Sequence, residues 1–380
     1  MDAPVDQAVE RALGRRLWRT AGLAALAGLA WAGRDVPAQL GGRLTGARAE
    51  RAARSPRFRD GTFHNPESTR TMVADPGRNL LKELVFGKQK RRPTSAVPLL
   101  RPSAADTADT ERELSVVWYG HASALIEIEG RRVLVDPVWS ERCSPSAAVG
   151  PRRIHEPPVR LEELPPVDAI LISHDHYDHL DMETVRGLVT HQSAPFLVPL
   201  GVGAHLDRWG VPEDRIVELD WSEDHAIGGL TISCTAAQHF SGRGLRRDGT
   251  LWSSWVVAGA QRKVFYTGDS GYFDGYAQIG AEHGPFDVTL MQIGAYDRAW
   301  PSIHMFPEEA VAAHLDLRGG LFIPVHWATF NLALHDWSEP VNRLWVEAKA
   351  RDVRLAVPRP GERVVVDDPP PVDGWWEAVA

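Results

Sequence analysis

The sequence predicts an α/β fold in which two mixed sheets pack face to face and helices cover the outside. Strand-like runs crowd together early, at Leu114 to Tyr119, Ser123 to Ile128 and Arg132 to Val135, spaced as hairpins. Farther on, short apolar runs alternate with helical stretches, as when strands are laid side by side through crossover helices. The length of 380 residues and the 43% hydrophobic content are ample for one large domain, and no internal repeat breaks it up.

In chain order, residues 1–33 carry Arg15 and Arg16 and then an apolar run from Ala21 to Gly33. That run is shorter than the ~20 residues a membrane-spanning helix requires. It is expected to be either a signal segment, with Ala30-Trp31-Ala32 as a cleavage site and the arginine pair as a twin-arginine export signal, or an amphipathic surface helix. Residues 34–62, rich in Arg, Ala and Gly, read as a mobile linker, and residues 63–112 as an N-terminal extension. Within that extension Leu80, Leu81, Leu84 and Val85 fall on one helical face, while Lys82, Lys88, Lys90, Arg91 and Arg92 supply basic charge. This is the pattern of a helix lying on a membrane surface, and equally that of a short helix packed on the domain before a solvated basic turn. The main domain is expected over 113–367. Its further strands are Ala169 to Ser173, Phe196 to Val198, Ile216 to Leu219, Leu230 to Thr235, Trp252 to Val257, Val264 to Thr267, Val288 to Gln292, Leu321 to Val325 and Arg354 to Ala356. Helices fit at Met182 to Leu188, Ala204 to Trp209, Ala277 to His283, Pro307 to Leu315 and Pro340 to Ala350, and residues 368–380 read as a tail.

The strand from Ala169 ends in Ser173-His174-Asp175-His176-Tyr177-Asp178-His179. Imidazole and carboxylate together are the ligand set of Zn²⁺, with Fe²⁺ and Mn²⁺ as competitors. His-x-His-x-Asp-His does not wrap one ion comfortably, so the spacing predicts two neighbouring metals sharing one loop. Further single ligands are then required at other strand ends, and His239, Asp269 and His326 each follow a strand-like run. Asp136, closing the strand before the motif, and Asp181 are expected to orient ligand imidazoles through their second nitrogen, with Asp181 also capping the helix from Met182. His121, at a hairpin turn, is expected to act structurally or in the same supporting way. Two ions about 3.5–4 Å apart present a shared water as hydroxide to an electrophile, so hydrolysis is the expected chemistry. Tyr177 and His304 are candidates for substrate contact or assistance to the leaving group, and Trp300 and Trp327 for the walls of an acyl pocket.

In its motif, lone His239, Gly268-Asp269 and final His326, the chain resembles the metallo-β-lactamase superfamily. Within it, Phe63-His-Asn-Pro66, Gly120-His-Ala-Ser123, Val135-Asp-Pro137, Trp252-Ser-Ser-Trp255 and His326-Trp327 are similar to the branch of phospholipases D that hydrolyse N-acyl phosphatidylethanolamine. The resemblance covers most of residues 57 to 365. It implies an αβ/βα sandwich, one metal on His174, His176 and His239, a second on Asp178, His179 and His326, and Asp269 bridging both. It also implies a phospholipid substrate attacked at phosphorus by the bridging hydroxide, and a membrane-peripheral enzyme on which Leu80, Leu81, Leu84, Val85 and Lys88 touch lipid. Two alternatives stand beside it: a soluble lactonase or phosphoesterase of the same fold, and a metal-stabilised binding protein without turnover. A net charge of -8 argues against a nucleic-acid partner. Cys143 and Cys234 form no disulfide framework. The sequence leaves the compartment open, cytoplasmic or exported, and likewise the oligomeric state, homodimer included.

Overall fold

A computed structural model of the chain describes residues 31–69, 71–73, 75, 77–101 and 114–380. The expected signal run lies almost wholly outside them. A short ribbon of β1 (Phe58–Arg59) and β2 (Thr62–Phe63) precedes the main body. One seven-stranded sheet forms from β3 (Ser115–Gly120), β4 (Ser123–Ile128), β5 (Arg131–Val135), β6 (Ala169–Leu171), β7 (Phe196–Pro199) and β8 (Ile216–Leu219). A second takes β9 (Asp224–Ile227), β10 (Leu230–Thr235), β11 (Ser254–Ala258), β12 (Lys263–Tyr266), β13 (Phe286–Gln292), β14 (Gly319–Val325) and β15 (Arg354–Leu355). The last strand, β16 (Arg363–Val365), returns to pair with β3 and completes the first sheet.

Each sheet is antiparallel in one half and parallel in the other. Hairpin pairing joins β3 to β4 and β4 to β5, and parallel pairing continues to β8. In the second sheet β9 to β12 are antiparallel and β12 to β15 parallel. Parallel neighbours need crossovers. The helices near the N-terminus are α1 (Val36–Gln39), α2 (Gly46–Arg54) and α3 (Leu80–Phe86). The crossovers are α4 (Met182–His191) and α5 (Gly203–Arg208) on the first sheet, with α6 (Gly275–Glu282), α7 (Pro307–Asp316) and α8 (Glu339–Ala350) on the second.

Strand alternation sorts the core. Val116 and Trp118 of β3 enter the cluster between the sheets, where they join Ile232, Cys234, Val257, Tyr266, Leu290 and Ile323. Their neighbours Val117 and Tyr119 face the other way, against Val185 and Leu188 of α4. Burying each such side chain stabilises the fold by about 1.5–3 kcal/mol. The sandwich expected from the sequence is the one observed.

Two expectations need correction. Residues 34–62 are not a linker: Ala52 of α2 is buried beside Phe63, Leu251 and Trp252, and Arg48 and Arg51 make ion pairs with Glu218 and Glu223. Arg and Ala are strong helix formers, and here the helix has carboxylates to face. Residues 368–380 are not a free tail either. Trp375 and Trp376 are buried in the main core, and their indoles donate to the Val357 carbonyl and the Asn342 side chain.

The leucine-rich part of the segment forms a helix, α3, and the basic run from Lys88 to Arg92 follows it in irregular chain. Asn79 caps α3 by accepting from the Lys82 amide at 2.9 Å, and Arg78 ties Glu83 of the helix to Asp297 of the body. Its residues Leu84 and Phe86 are 56% and 75% exposed, so they are not packed on the domain.

Candidate metal centre

The carboxyl ends of β3, β5, β6, β12 and β14 meet at one edge of the sandwich. Ser173 and the histidine loop leave β6, Asp136 leaves β5, His121 leaves β3, Asp269 follows β12 by three residues, and His326 directly follows β14. The sheets touch here: Trp255 donates to the Ile172 carbonyl at 3.1 Å, and the His326 amide to the His121 carbonyl at 2.8 Å. His121, Asp136 and His326 all hold left-handed backbone, with φ of 53°, 36° and 63°. Such conformations cost about 1–3 kcal/mol each and persist where surrounding structure enforces them. Gly268, just before Asp269, also sits at φ 56°, and a Cβ there would stand 2.5 Å from the Ser173 Cβ.

Two groups of ligand-type atoms result. His174 Nε2 and His239 Nε2 lie 2.9 and 3.3 Å from His176 Nδ1. Asp178 Oδ2 lies 2.9 Å from His121 Nε2, 3.2 Å from His326 Nε2 and 3.5 Å from His179 Nε2. Between the groups, Asp269 Oδ2 is 3.1 Å from His326 Nε2, 3.2 Å from His179 Nε2, and 3.9 and 3.8 Å from the Nε2 atoms of His174 and His239.

The charge states suit a cation. Burial, and then the neighbouring imidazoles, hold His174 well below the ordinary imidazole range, and burial does the same to His239. Burial opposes ionisation of Asp178 and Asp269, yet the surrounding imidazoles, His179 foremost, keep both well below the usual carboxylate range. Neutral imidazole and ionised carboxylate are the ligating forms. His179 is driven the other way: burial disfavours its charge, but Asp269, Asp178 and Asp136 together raise it. Asp269 Oδ1 is buried without a hydrogen-bond partner. Orphaned buried atoms cost about 1–3 kcal/mol each, and divalent cations among these donors relieve that cost, so the residues fit a metal.

Asp136 supports the cluster from behind. Its Oδ2 receives His179 Nδ1 at 2.6 Å, Ser173 Oγ at 2.5 Å and the Tyr266 hydroxyl, while Oδ1 receives the Ser173 amide at 2.7 Å. Asp181 does not do this. Its carboxylate is taken by the Ser140 amide and hydroxyl, Thr184 and the Glu183 amide, so it caps α4 and touches no site imidazole among the described residues. His121 reaches Asp178 directly rather than through another group.

In front lies a cavity of about 270 Å³ whose lining includes His176, Asp178, Asp269, His304 and His326 and also the apolar Met72, Phe240, Trp300, Ile303 and Leu332. His304 is where the sequence put it, with Nε2 3.9 Å from Asp269 Oδ2. Tyr177 is not among the lining residues. Its hydroxyl donates to the Arg243 carbonyl at 2.6 Å and its ring lies under the Arg243 guanidinium, so it packs rather than assists. Trp327 stacks on Trp118 in the core, leaving Trp300 as the indole on the cavity. Sequence reasoning missed Arg247, which lines the cavity with its guanidinium over Phe240. It also missed Ser173 and Tyr266, the partners of Asp136; both sit at strand ends, the one signal available.

Comparison with known proteins agrees with this geometry. Residues 131–327 match the beta-lactamase superfamily domain. An uncharacterized protein of Mycobacterium tuberculosis is 52% identical over 95% of this chain and 99% of its own length. The N-acyl-phosphatidylethanolamine-hydrolyzing phospholipase D 1 of Caenorhabditis elegans is 34% identical over 76% of this chain and 87% of its own. Among solved structures, an isothiocyanate hydrolase from Delia radicum gut bacteria shares the fold with a TM-score of 0.53 at 20% identity, covering 66% of this chain and 98% of that one. From the matched domain, the relatives and the His/Asp clusters together, the chain belongs to the metallo-β-lactamase superfamily of metal-dependent hydrolases.

Proposed function

We propose that the protein is a phospholipase D-type phosphodiesterase, loaded with two Zn²⁺ ions, that cleaves N-acyl phosphatidylethanolamine to N-acylethanolamine and phosphatidic acid. The likeness over most of the chain to an enzyme named for that hydrolysis carries the reading. His174, His176 and His239 would hold one ion and Asp178, His179 and His326 the other, with Asp269 serving both; bound there, the ions supply Lewis acidity and an acidified water.

The chain's own residues fill the remaining roles. Met72, Phe240, Trp300 and Leu332 offer an apolar wall to acyl chains, and Arg247 sets a positive charge on the same cavity for an anionic headgroup. His304 lines the cavity, and its Nε2, 3.9 Å from Asp269 Oδ2, would offer an N–H to a phosphoryl oxygen or departing alkoxide. Exposed Leu84 and Phe86, beside the basic run from Lys88 to Arg92, suit a peripheral membrane contact. No helix among the described residues is long and apolar enough to cross a membrane.

The test is metal analysis coupled to hydrolysis of N-acyl phosphatidylethanolamine in mixed micelles, beside bis-nitrophenyl phosphate and a sugar lactone, with Asp269→Asn as control. Two metals per chain, with lipid turnover abolished in the variant, is the expected result. Turnover of the small substrates alone would move the activity to a soluble lactonase or phosphoesterase.

A further inference from the structure

His239 stands apart from the other strand-end histidines. It lies four residues past the end of β10, in irregular chain, where no sheet ladder holds its backbone. Both of its main-chain polar groups are instead taken by one side chain 174 positions earlier: the His239 amide donates to Asn65 Oδ1 at 2.9 Å, and Asn65 Nδ2 donates to the His239 carbonyl at 2.6 Å. The ring is fixed separately, through Nδ1 and the Ile303 carbonyl at 2.8 Å. That leaves Nε2 directed at His176.

The orientation of the Asn65 amide is over-determined. Its Oδ1 also receives the indole N–H of Trp252 at 2.9 Å. Two groups that can only donate converge on that atom, so it is the oxygen, and the nitrogen must face the His239 carbonyl. The same indole N–H is shared with the Ala237 carbonyl at 3.0 Å. Phe63 anchors the segment, buried beside Trp252 and Ala237, with its amide on the Asp248 carbonyl at 2.8 Å. Asparagine sets an acceptor and a donor on two separate atoms, one for each main-chain group of His239; aspartate would set a second oxygen against a carbonyl.

We propose that Asn65 is a positioning residue for the three-histidine group: the N-terminal segment, outside the matched superfamily domain at 131–327, clamps the backbone of His239 and so sets the affinity of one metal site without touching the metal. The proposal rests on the two-metal reading above. Supporting groups behind metal ligands typically contribute about 10–100-fold in affinity.

The experiment titrates full-length, metal-free wild type, Asn65→Ala, Asn65→Asp and Trp252→Phe with Zn²⁺ against a chromophoric chelator, and records the visible absorption of the Co²⁺-loaded forms. Wild type should take two ions. Asn65→Ala and Asn65→Asp should bind one of them about 10–100-fold more weakly, with the other unchanged, and should lose part of the Co²⁺ spectrum. Trp252→Phe, which keeps the clamp and frees only one hold on its oxygen, should fall between. The metal-loaded melting temperature should drop more than the metal-free one. Wild-type affinity for both ions in the Asn65 variants, equal weakening of both, or equal loss of melting temperature with and without metal would overturn the clamp while leaving the two-metal reading intact. A wild-type chain that takes up no ion overturns that reading, and the clamp with it.

Discussion

Replacing Asp136 with Asn tests whether the support behind the ligands matters as much as the ligands. Three donors meet on Oδ2: His179 Nδ1, Ser173 Oγ and the Tyr266 hydroxyl. If the asparagine oxygen keeps the Ser173 amide, its NH₂ group faces all three. The two hydroxyls can rotate and accept instead. The His179 N–H cannot, unless its proton moves to Nε2, the atom that faces Asp178 and Asp269 and would have to ligate. Either way the imidazole loses its anchor or its lone pair. Metal affinity should fall about 10–100-fold, and the metal-free protein should lose about 1–3 kcal/mol for the unpaired buried donor. Chelator competition with Zn²⁺ reads the first, and urea denaturation of the metal-free protein the second. Tyr266→Phe is the control, since it removes one hydroxyl and leaves the His179 bond in place; it should keep the affinity. Wild-type Zn²⁺ affinity in Asp136→Asn would refute the reasoning outright.

Three other outcomes are expected. His314 is buried with Nδ1 2.8 Å from Thr289 Oγ1, and burial pushes it down to about 4. Free imidazole titrates near 6.5, so the unfolded chain protonates first: stability is complete above pH ~6.5 and falls toward pH ~4 by up to about 3 kcal/mol. Urea midpoints of the metal-free protein at pH 7 and 4.5 should therefore differ less in His314→Gln than in wild type. Gly268→Ala forces a Cβ to within 2.5 Å of the Ser173 Cβ at a left-handed position and should cost at least about 1–3 kcal/mol; an unchanged melting temperature would contradict the close approach. Leu84→Ser with Phe86→Ser should weaken binding to anionic vesicles by about tenfold or more, each side chain being worth roughly 1.5–3 kcal/mol when buried, while hydrolysis of a dispersed substrate is unaffected. Equal vesicle binding would remove α3 from the membrane contact.

What could be read from the sequence was what has a local cause. An apolar β-branched run ending in a ligand delivers that ligand to a sheet edge, so His326, directly after β14, and the His174 loop after β6 were legible from strand ends, and Asp269 and His239 only as residues three and four positions beyond theirs. Most strands of both sheets fell within a residue or two of the expected positions for the same reason. Features that depend on a distant partner stayed hidden. The Arg-Ala-Gly stretch from 34 to 62 resembles a linker until Glu218 and Glu223 are set opposite its arginines. Edge strand β9, Asp-His-Ala-Ile, carries too few apolar residues to announce itself. Tyr177 sits among ligands in sequence, yet its side chain turns toward Arg243, 66 residues away. Asp181 satisfied a helix end that any acidic residue before Met182 could satisfy, and that local demand won.

The placement of the ligands across the two sheets has a consequence beyond catalysis. His174 and His176 leave the first sheet and His239 the second; Asp178 and His179 leave the first and His326 the second. An ion on either set would act as a rivet through the sandwich, binding the folded chain and not the unfolded one. At a thousandfold excess over Kd such binding adds about 4 kcal/mol per site, comparable to a sizeable fraction of a domain's whole stability. Scarcity of metal would then lower the stability of the fold itself, and with it the quantity of intact protein in a cell.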